Sequence, residues 1–243
     1  MSLIFIFRKI FLLVFLFFWL SISSCQSFIA KQKDNKKLED LLSLKKGDFL
    51  FQDLDDSPLC DAIESVTPGY NNFNFSHIGI VIDVENLIDT GSYNYIKVAE
   101  ALPGNVKIVT LNEFLNRSYD KFGNPKVIVG RLKNEYRESI EEAISFIQKQ
   151  IGKPYDQIFS MNDSSFYCSE LIYRAFEKNN IFSLKPMTFL DSSGNEYMDT
   201  WLDYYSKLNQ IIPQGELGIN PGNMSLNKKI DIVHYFGEPS KSE

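Results

Sequence analysis

The chain has 243 residues, of which 44% are hydrophobic and 14% aromatic, and its formal net charge is −6. That is enough apolar material for a well-buried domain. The acidic balance, with no basic face interleaved with aromatics, excludes a nucleic-acid binder, and three cysteines are too few for a disulfide framework.

In chain order, residues 1–25 read as a leader. Arg8 and Lys9 precede an apolar run from Ile10 to Leu20, and small residues lead to Cys25. Eleven apolar residues are short for a bilayer span, so a secretory signal is expected in preference to an uncleaved anchor over residues 3–22. Ile22-Ser23-Ser24-Cys25 resembles the lipobox of bacterial lipoproteins, in which cleavage before the cysteine leaves it N-terminal and lipid-modified. The resemblance implies a cell-envelope protein, anchored to the membrane through lipid on Cys25 and facing outside the cytoplasm. Loss of the leader takes the charge to −8, because it carries two bases and no acid. Residues 26–40 are polar and lysine-rich, suited to a tether, and residues 41–243 are expected to form one domain.

Within that domain, Asp48 to Gln52 reads as a strand. Residues 57–69 read as a helix, with Ser57 as N-cap, Pro58 at the first position and a stop near Pro68-Gly69. Cys60 lies near its start and is expected to pack as a small hydrophobe. "SHIGIVIDV" (76–84) and "YIKVAEAL" (95–102) are strand-like runs separated by turn residues. "NVKIVTL" and "PKVIVGRL" add two more, with "LNEFLNR" as a short helix between them. Residues 136–152 give the clearest helix, with Ile140, Ala143, Ile144, Ile147 and Ile151 on one face. Cys168 opens another, with Leu171, Ile172, Ala175 and Phe176 inward and Asp163, Ser164 or Ser165 as candidate caps. The aromatic tail after it should wrap a cleft or cap the domain. The fold class expected is α+β: a predominantly antiparallel sheet with helices packed against it.

Two histidines leave few options for imidazole chemistry. Turning the 76–84 and 94–102 strands near residues 88–89 makes paired positions sum to about 177, which sets Glu100 opposite His77. A carboxylate there can fix the imidazole tautomer, although the same pair also fits a surface cross-strand contact. Cys168 is equally open between a buried small hydrophobe and a reactive thiol. A helix N-terminus favours a thiolate, and a neighbouring imidazolium favours it further, while Glu170 in the first turn opposes it. Asp48 suits a turn, and His234, in a terminal strand, suits a structural position.

Three ordered motifs carry a family resemblance. "KKGDFLFQ" followed by "FSHIGIVID" resembles the strand pair of NlpC-type cysteine peptidases, whose second strand bears a histidine. "GKPYDQIFSMNDSSFYCSELIYRAF" resembles their G-x-P-Y segment and cysteine helix, moved to the C-terminal side. The order His, Glu, Cys resembles the circularly permuted papain-like branch, the YiiX/YebB-like amidases and peptidases. These are related to lecithin–retinol-acyltransferase-like proteins. The resemblance spans about residues 42–235 and implies a cysteine hydrolase with Cys168 as nucleophile, His77 as base, Glu100 as orienting group and Tyr155 at the oxyanion. It implies an amide substrate (a cell-wall peptide, an N-acyl amino acid or a lipid-derived amide). From the residues themselves no cofactor or metal is expected, since His77, Cys168 and one carboxylate are too few ligands for a closed zinc site. An acyltransferase using the same thioester and a silent envelope-binding module are the alternatives. The family's "DCSG" is "YCSEL" here, so peptide specificity does not carry over.

Overall fold

In a computed structural model of the chain, the described residues are 43–84, 93–162, 164–191 and 193–242. The leader, Cys25, the tether and the expected turn at 88–89 lie outside them.

A six-stranded antiparallel sheet runs in the order β4-β3-β2-β1-β5-β8. Its strands are β1 (Phe49–Gln52), β2 (His77–Asp83), β3 (Lys97–Leu102), β4 (Asn105–Thr110), β5 (Val127–Leu132) and β8 (Ile230–Tyr235). A two-residue ribbon, β6 (Lys185–Pro186) with β7 (Leu217–Gly218), stands apart from it. β2 reads "HIGIVID" without polar alternation because both faces are covered. Ile78, Ile80 and Ile82 join the main core with Phe49, Phe51 and Phe176. His77, Gly79 and Val81 occupy the opposite face, as their parity requires.

Six α-helices and four short 3₁₀ turns complete the described fold. The α-helices are α1 (Pro58–Ser65), α2 (Leu111–Leu115), α3 (Ser139–Gln150), α4 (Cys168–Phe176), α5 (Asp199–Leu208) and α6 (Pro221–Ser225). α3 buries Ile140, Ala143, Ile144 and Ile147 at helical spacing. It packs on α4, which in turn lies across β2 and β3. Ile151 departs from the expected stripe: the helix stops at Gln150, and Ile151 follows at its C-cap, exposed. α1 is also shorter than expected, ending at Ser65, and the Ser57 side chain makes no cap hydrogen bond. Its hydroxyl instead lies 3.5 Å from the Cys60 sulfur.

The β2–β3 register corrects the sequence expectation. Ile80 pairs with Ala99 and Val81 with Val98, and the pairing shifts between Val81 and Asp83. Extending the Ile80–Ala99 register sets Gly79, not His77, opposite Glu100. The slip is two residues, which preserves side-chain parity, so Glu100 reaches His77 diagonally across the strands.

Candidate active site

Cys168 is the first residue of α4, with Tyr167 at the N-cap. The N-cap side chain makes no cap hydrogen bond; Ser164 and Ser165 turn their hydroxyls and backbone N–H groups to Asn162 Oδ1, and Asp163 lies outside the described residues. The first backbone N–H groups of a helix have no intrahelical acceptor, so those of the α4 start face the sulfur's surroundings with partial positive charge. The Cys168 thiol is buried, 3.9 Å from the Ser76 carbonyl oxygen, and lines a cleft.

Ser76 leads directly into His77 at the start of β2. The imidazole is buried, and its Nε2 lies 2.9 Å from Glu100 Oε2. With Nε2 engaged, Nδ1 remains for Cys168, the other group that acts on the ring. Burial works against a charged imidazole here. The bonds to Cys168 and Glu100 outweigh it and lift the histidine to about 9. Burial likewise works against the Glu100 carboxylate, but hydrogen bonds from His77 and Arg117 hold it down at about 2. Near neutral pH the ring therefore holds a proton between a sulfur and a carboxylate, the arrangement in which a thiolate can exist as a nucleophile.

Tyr155 lies in the same cleft. Burial and the neighbouring Cys168 push its phenol well above the usual value, so its hydroxyl remains a donor. The segment carrying it is tied down on both sides, since Tyr155 bridges Phe166 in parallel and Pro154 bridges Asn105. Asp156 then folds the next turn by accepting from the Ile158 and Ser160 backbone N–H groups.

The cleft encloses about 710 Å³ open to solvent, and among the described residues Lys185 is the one charged residue in its lining. Its apolar walls come from α1 (Ile63) and its C-cap Val66, the chain after β6 (Met187, Phe189), Phe159 and Trp201. Trp201 meets Phe159 and Phe189 edge-on, at 90° and 87° between ring planes. The aromatic tail thus builds the cleft, as its composition suggested.

A family model for permuted papain-like amidase enzymes, the YaeF/YiiX or C92 family, matches residues 43–234. The chain belongs to this family. Its fold is accordingly permuted papain-like, and its coarse activity is that of a cysteine amidase-type hydrolase. Among solved structures it is similar to metalloprotein yiiX from Escherichia coli O157:H7, with a TM-score of 0.60 and 20% identity. The alignment covers 81% of this chain and 99% of that one, and at this identity it speaks to fold alone. No curated protein matches the sequence. The word metalloprotein describes the E. coli protein. Among the described residues here, no group of three His, Cys, Asp or Glu side chains is placed to hold an ion.

Other residues settle as supports. Cys60 is a free, buried thiol, as is Cys168. Burial and a hydrogen bond to Asp56 push Cys60 up to about 12, which keeps it protonated and unreactive. Asp48 accepts from the Lys45 backbone N–H and takes a two-pronged contact from Arg131, in keeping with the turn position expected. His234 is on β8, paired with Val129, far along the sheet order from β2. Glu170 differs from expectation. Burial raises its carboxyl to about 8, so near neutrality it is protonated and does not oppose a thiolate. It also accepts from the Asn162 backbone N–H at 3.0 Å and faces the Tyr167 N–H, a reach-back from the third helical position that resembles half of a capping box.

Sequence reasoning missed Arg117 and Phe114. Both come from "LNEFLNR", read only as a short helix. The Phe114 ring stacks on His77 with 5.5 Å between centroids, and Arg117 meets the Glu100 carboxylate with two nitrogens. The capping Thr110, which accepts from Glu113 N–H, was a visible sign that a defined helix starts there.

Proposed function

We propose that the protein hydrolyses an amide whose acyl side is apolar, through a Cys168–His77–Glu100 triad and a thioester. Cys168 attacks the carbonyl carbon and the C–N bond breaks. The imidazolium of His77 protonates the departing amine, and the neutral ring then activates the water that releases the acid. Glu100 holds the ring tautomer and balances its charge. The Tyr155 hydroxyl and the Cys168 backbone N–H are the donors for the oxyanion.

The observation that carries this reading is the 2.9 Å His77–Glu100 bond beneath a thiol at a helix N-terminus that opens on an apolar cleft. A lining with a single lysine favours an N-acyl amino acid or lipid-derived amide over a strongly charged cell-wall peptide. The same proposal places the enzyme at the cell envelope, tethered by lipid on Cys25 and facing outside the cytoplasm. It rests there on the Arg8-Lys9 pair, the apolar run and the lipobox-like end of the leader. Conversion of Cys25 to serine is expected to release the protein from the membrane fraction.

The test of the triad is the pH dependence of iodoacetamide labelling at each thiol, read by peptide mass spectrometry on the full-length protein in detergent. Cys168 should label rapidly near pH 6, and this advantage should vanish in His77→Ala, with Cys60 as the unreactive internal reference. An accessible Cys168 that labels as an ordinary thiol, indifferent to His77, would favour a silent binding module.

A further inference from the structure

Among the described residues three glutamates are buried, and their surroundings separate them sharply. Glu64 on α1 and Glu170 on α4 are both raised to about 8, with burial as the leading cause. Glu100 is at least as buried as either, yet it stays ionised. The difference lies in what touches the carboxylate. Arg117 Nη1 donates to Oε2 at 2.6 Å and Nη2 to Oε1 at 2.5 Å, a planar two-pronged contact. Glu170 accepts the Asn162 backbone N–H but meets no such fork: its cation contact is the Arg174 Nε, 3.7 Å away.

The groups facing Glu100 are few. From β2 comes His77 Nε2, at 2.9 Å from Oε2; from β4 comes Lys107 Nζ, at 4.0 Å from Oε1; from the chain after α2 comes Arg117. Beyond the imidazole lies Cys168. Lys107 is at the edge of contact and its side chain is 40% exposed, so its charge is shared with water. Arg117 is held from a second side, with its guanidinium carbon 5.1 Å over the Phe114 ring that also stacks on His77. One short helix and the turn after it therefore supply both the wall beneath the imidazole and the cation that neutralises its partner.

We propose that Arg117 is a positioning residue of the hydrolytic machinery: its guanidinium keeps the Glu100 carboxylate ionised and oriented so that His77 can take the Cys168 proton. The proposal rests on the triad reading above. Without the guanidinium, a carboxyl buried in this site behaves as Glu64 and Glu170 do and keeps its proton near neutrality. A protonated Glu100 donates to Nε2, which fixes the hydrogen of the neutral ring on Nδ1, towards the sulfur. That tautomer has no lone pair for the thiol proton, and the thiolate–imidazolium pair waits until Glu100 ionises.

The experiment measures the iodoacetamide labelling rate of Cys168 from about pH 4.5 to 9.5 in the full-length wild type, Arg117→Gln and Arg117→Lys, with thermal unfolding recorded for each. Arg117→Gln keeps side-chain donors and loses the cation. Its low-pH labelling edge should move up to about pH 8, where Glu64 and Glu170 lose their protons, so that labelling near pH 6 falls roughly 100-fold and rejoins wild type near pH 9. Arg117→Lys, a single-point cation without the planar fork, should fall between. A merely structural role would alter the rate at every pH and expose Cys60 to labelling as well. An Arg117→Gln edge that superimposes on wild type overturns the proposal. Should that variant not fold, Arg117→Lys carries the test, and an unshifted edge there overturns it equally. A wild-type Cys168 that labels as an ordinary thiol defeats the triad reading instead, a result distinct from failure of the Arg117 role.

Discussion

Gly79→Ala is the substitution whose outcome the geometry fixes most closely. Gly79 is not among the residues with positive φ, so space, rather than backbone conformation, demands the glycine. A Cβ there would stand 2.7 Å from Phe114 Cε2, 2.8 Å from Val98 Cγ1 and 3.3 Å from the Ala99 carbonyl oxygen. Comfortable carbon–carbon separations are about 3.5–4.0 Å, so ring and valine must each retreat by roughly 1 Å. Overpacking of this kind costs about 1–3 kcal/mol, partly offset by up to about 1 kcal/mol from the stiffer unfolded chain. At about 2–4 °C per kcal/mol for a domain of this size, the melting temperature should fall by roughly 2–10 °C. The direction of retreat matters more than the energy. Phe114 moves off the face of His77 and away from beneath Arg117, so labelling of Cys168 near pH 6 should slow by about tenfold, a loss of about 1.4 kcal/mol in site organisation. The assay is differential scanning fluorimetry with iodoacetamide labelling on the same samples. Adding Phe114→Leu to Gly79→Ala should recover the melting temperature without recovering the labelling, a non-additivity expected of residues in contact. A Gly79→Ala protein with wild-type melting and wild-type labelling would refute the claim that this glycine makes room for the ring.

Further outcomes follow from the same contacts. Cys60→Ala should leave Cys168 labelling and catalysis within about twofold of wild type, and Cys60 itself should resist iodoacetamide below about pH 10, as peptide mass spectrometry will report. His77 is raised in the folded state, so its contribution to stability is complete below about 6.5 and is lost as pH rises through about 9. Urea midpoints should decline across that window in wild type and lack this component in His77→Ala. The depressed Glu100 acts in the opposite sense, its contribution fading as pH falls from about 4.5 towards 2. Glu170 is a raised carboxyl that the unfolded chain would ionise, so it weighs against folding progressively from about pH 4.5 to 8. Glu170→Gln should therefore cost under about 1 kcal/mol at pH 6 and gain on wild type as the buffer becomes alkaline.

Much of this was legible before any coordinates. Strand positions followed from runs such as "HIGIVID", the α3 face from isoleucines at helical spacing, and the α4 start from a polar stretch that ends at Cys168 with apolar residues recurring beyond it. Parity alone brought His77 and Glu100 to one face, and it survived a register that was wrong by two. The register itself was not legible, because the shift in pairing between Val81 and Asp83 leaves no sequence mark. Arg117 was invisible for a different reason. Its partner is 17 residues away on another element, and nothing in "LNEFLNR" separates an arginine that clamps a carboxylate from one facing water. The α4 cap was misjudged because three candidate caps preceded the helix, whereas the group reaching back to its start is Glu170, inside it.

The most direct test of the account is to trap the acyl-enzyme. Full-length protein mixed with activated p-nitrophenyl esters of increasing acyl length, quenched in acid and digested, should carry the acyl mass on the peptide containing Cys168. The adduct should be absent from Cys60 and from the Cys168→Ala protein, persist longer in His77→Ala, and form faster as the acyl chain lengthens into the apolar cleft. No adduct at Cys168, or one that forms equally in Cys168→Ala, would contradict the assignment of this thiol as the nucleophile.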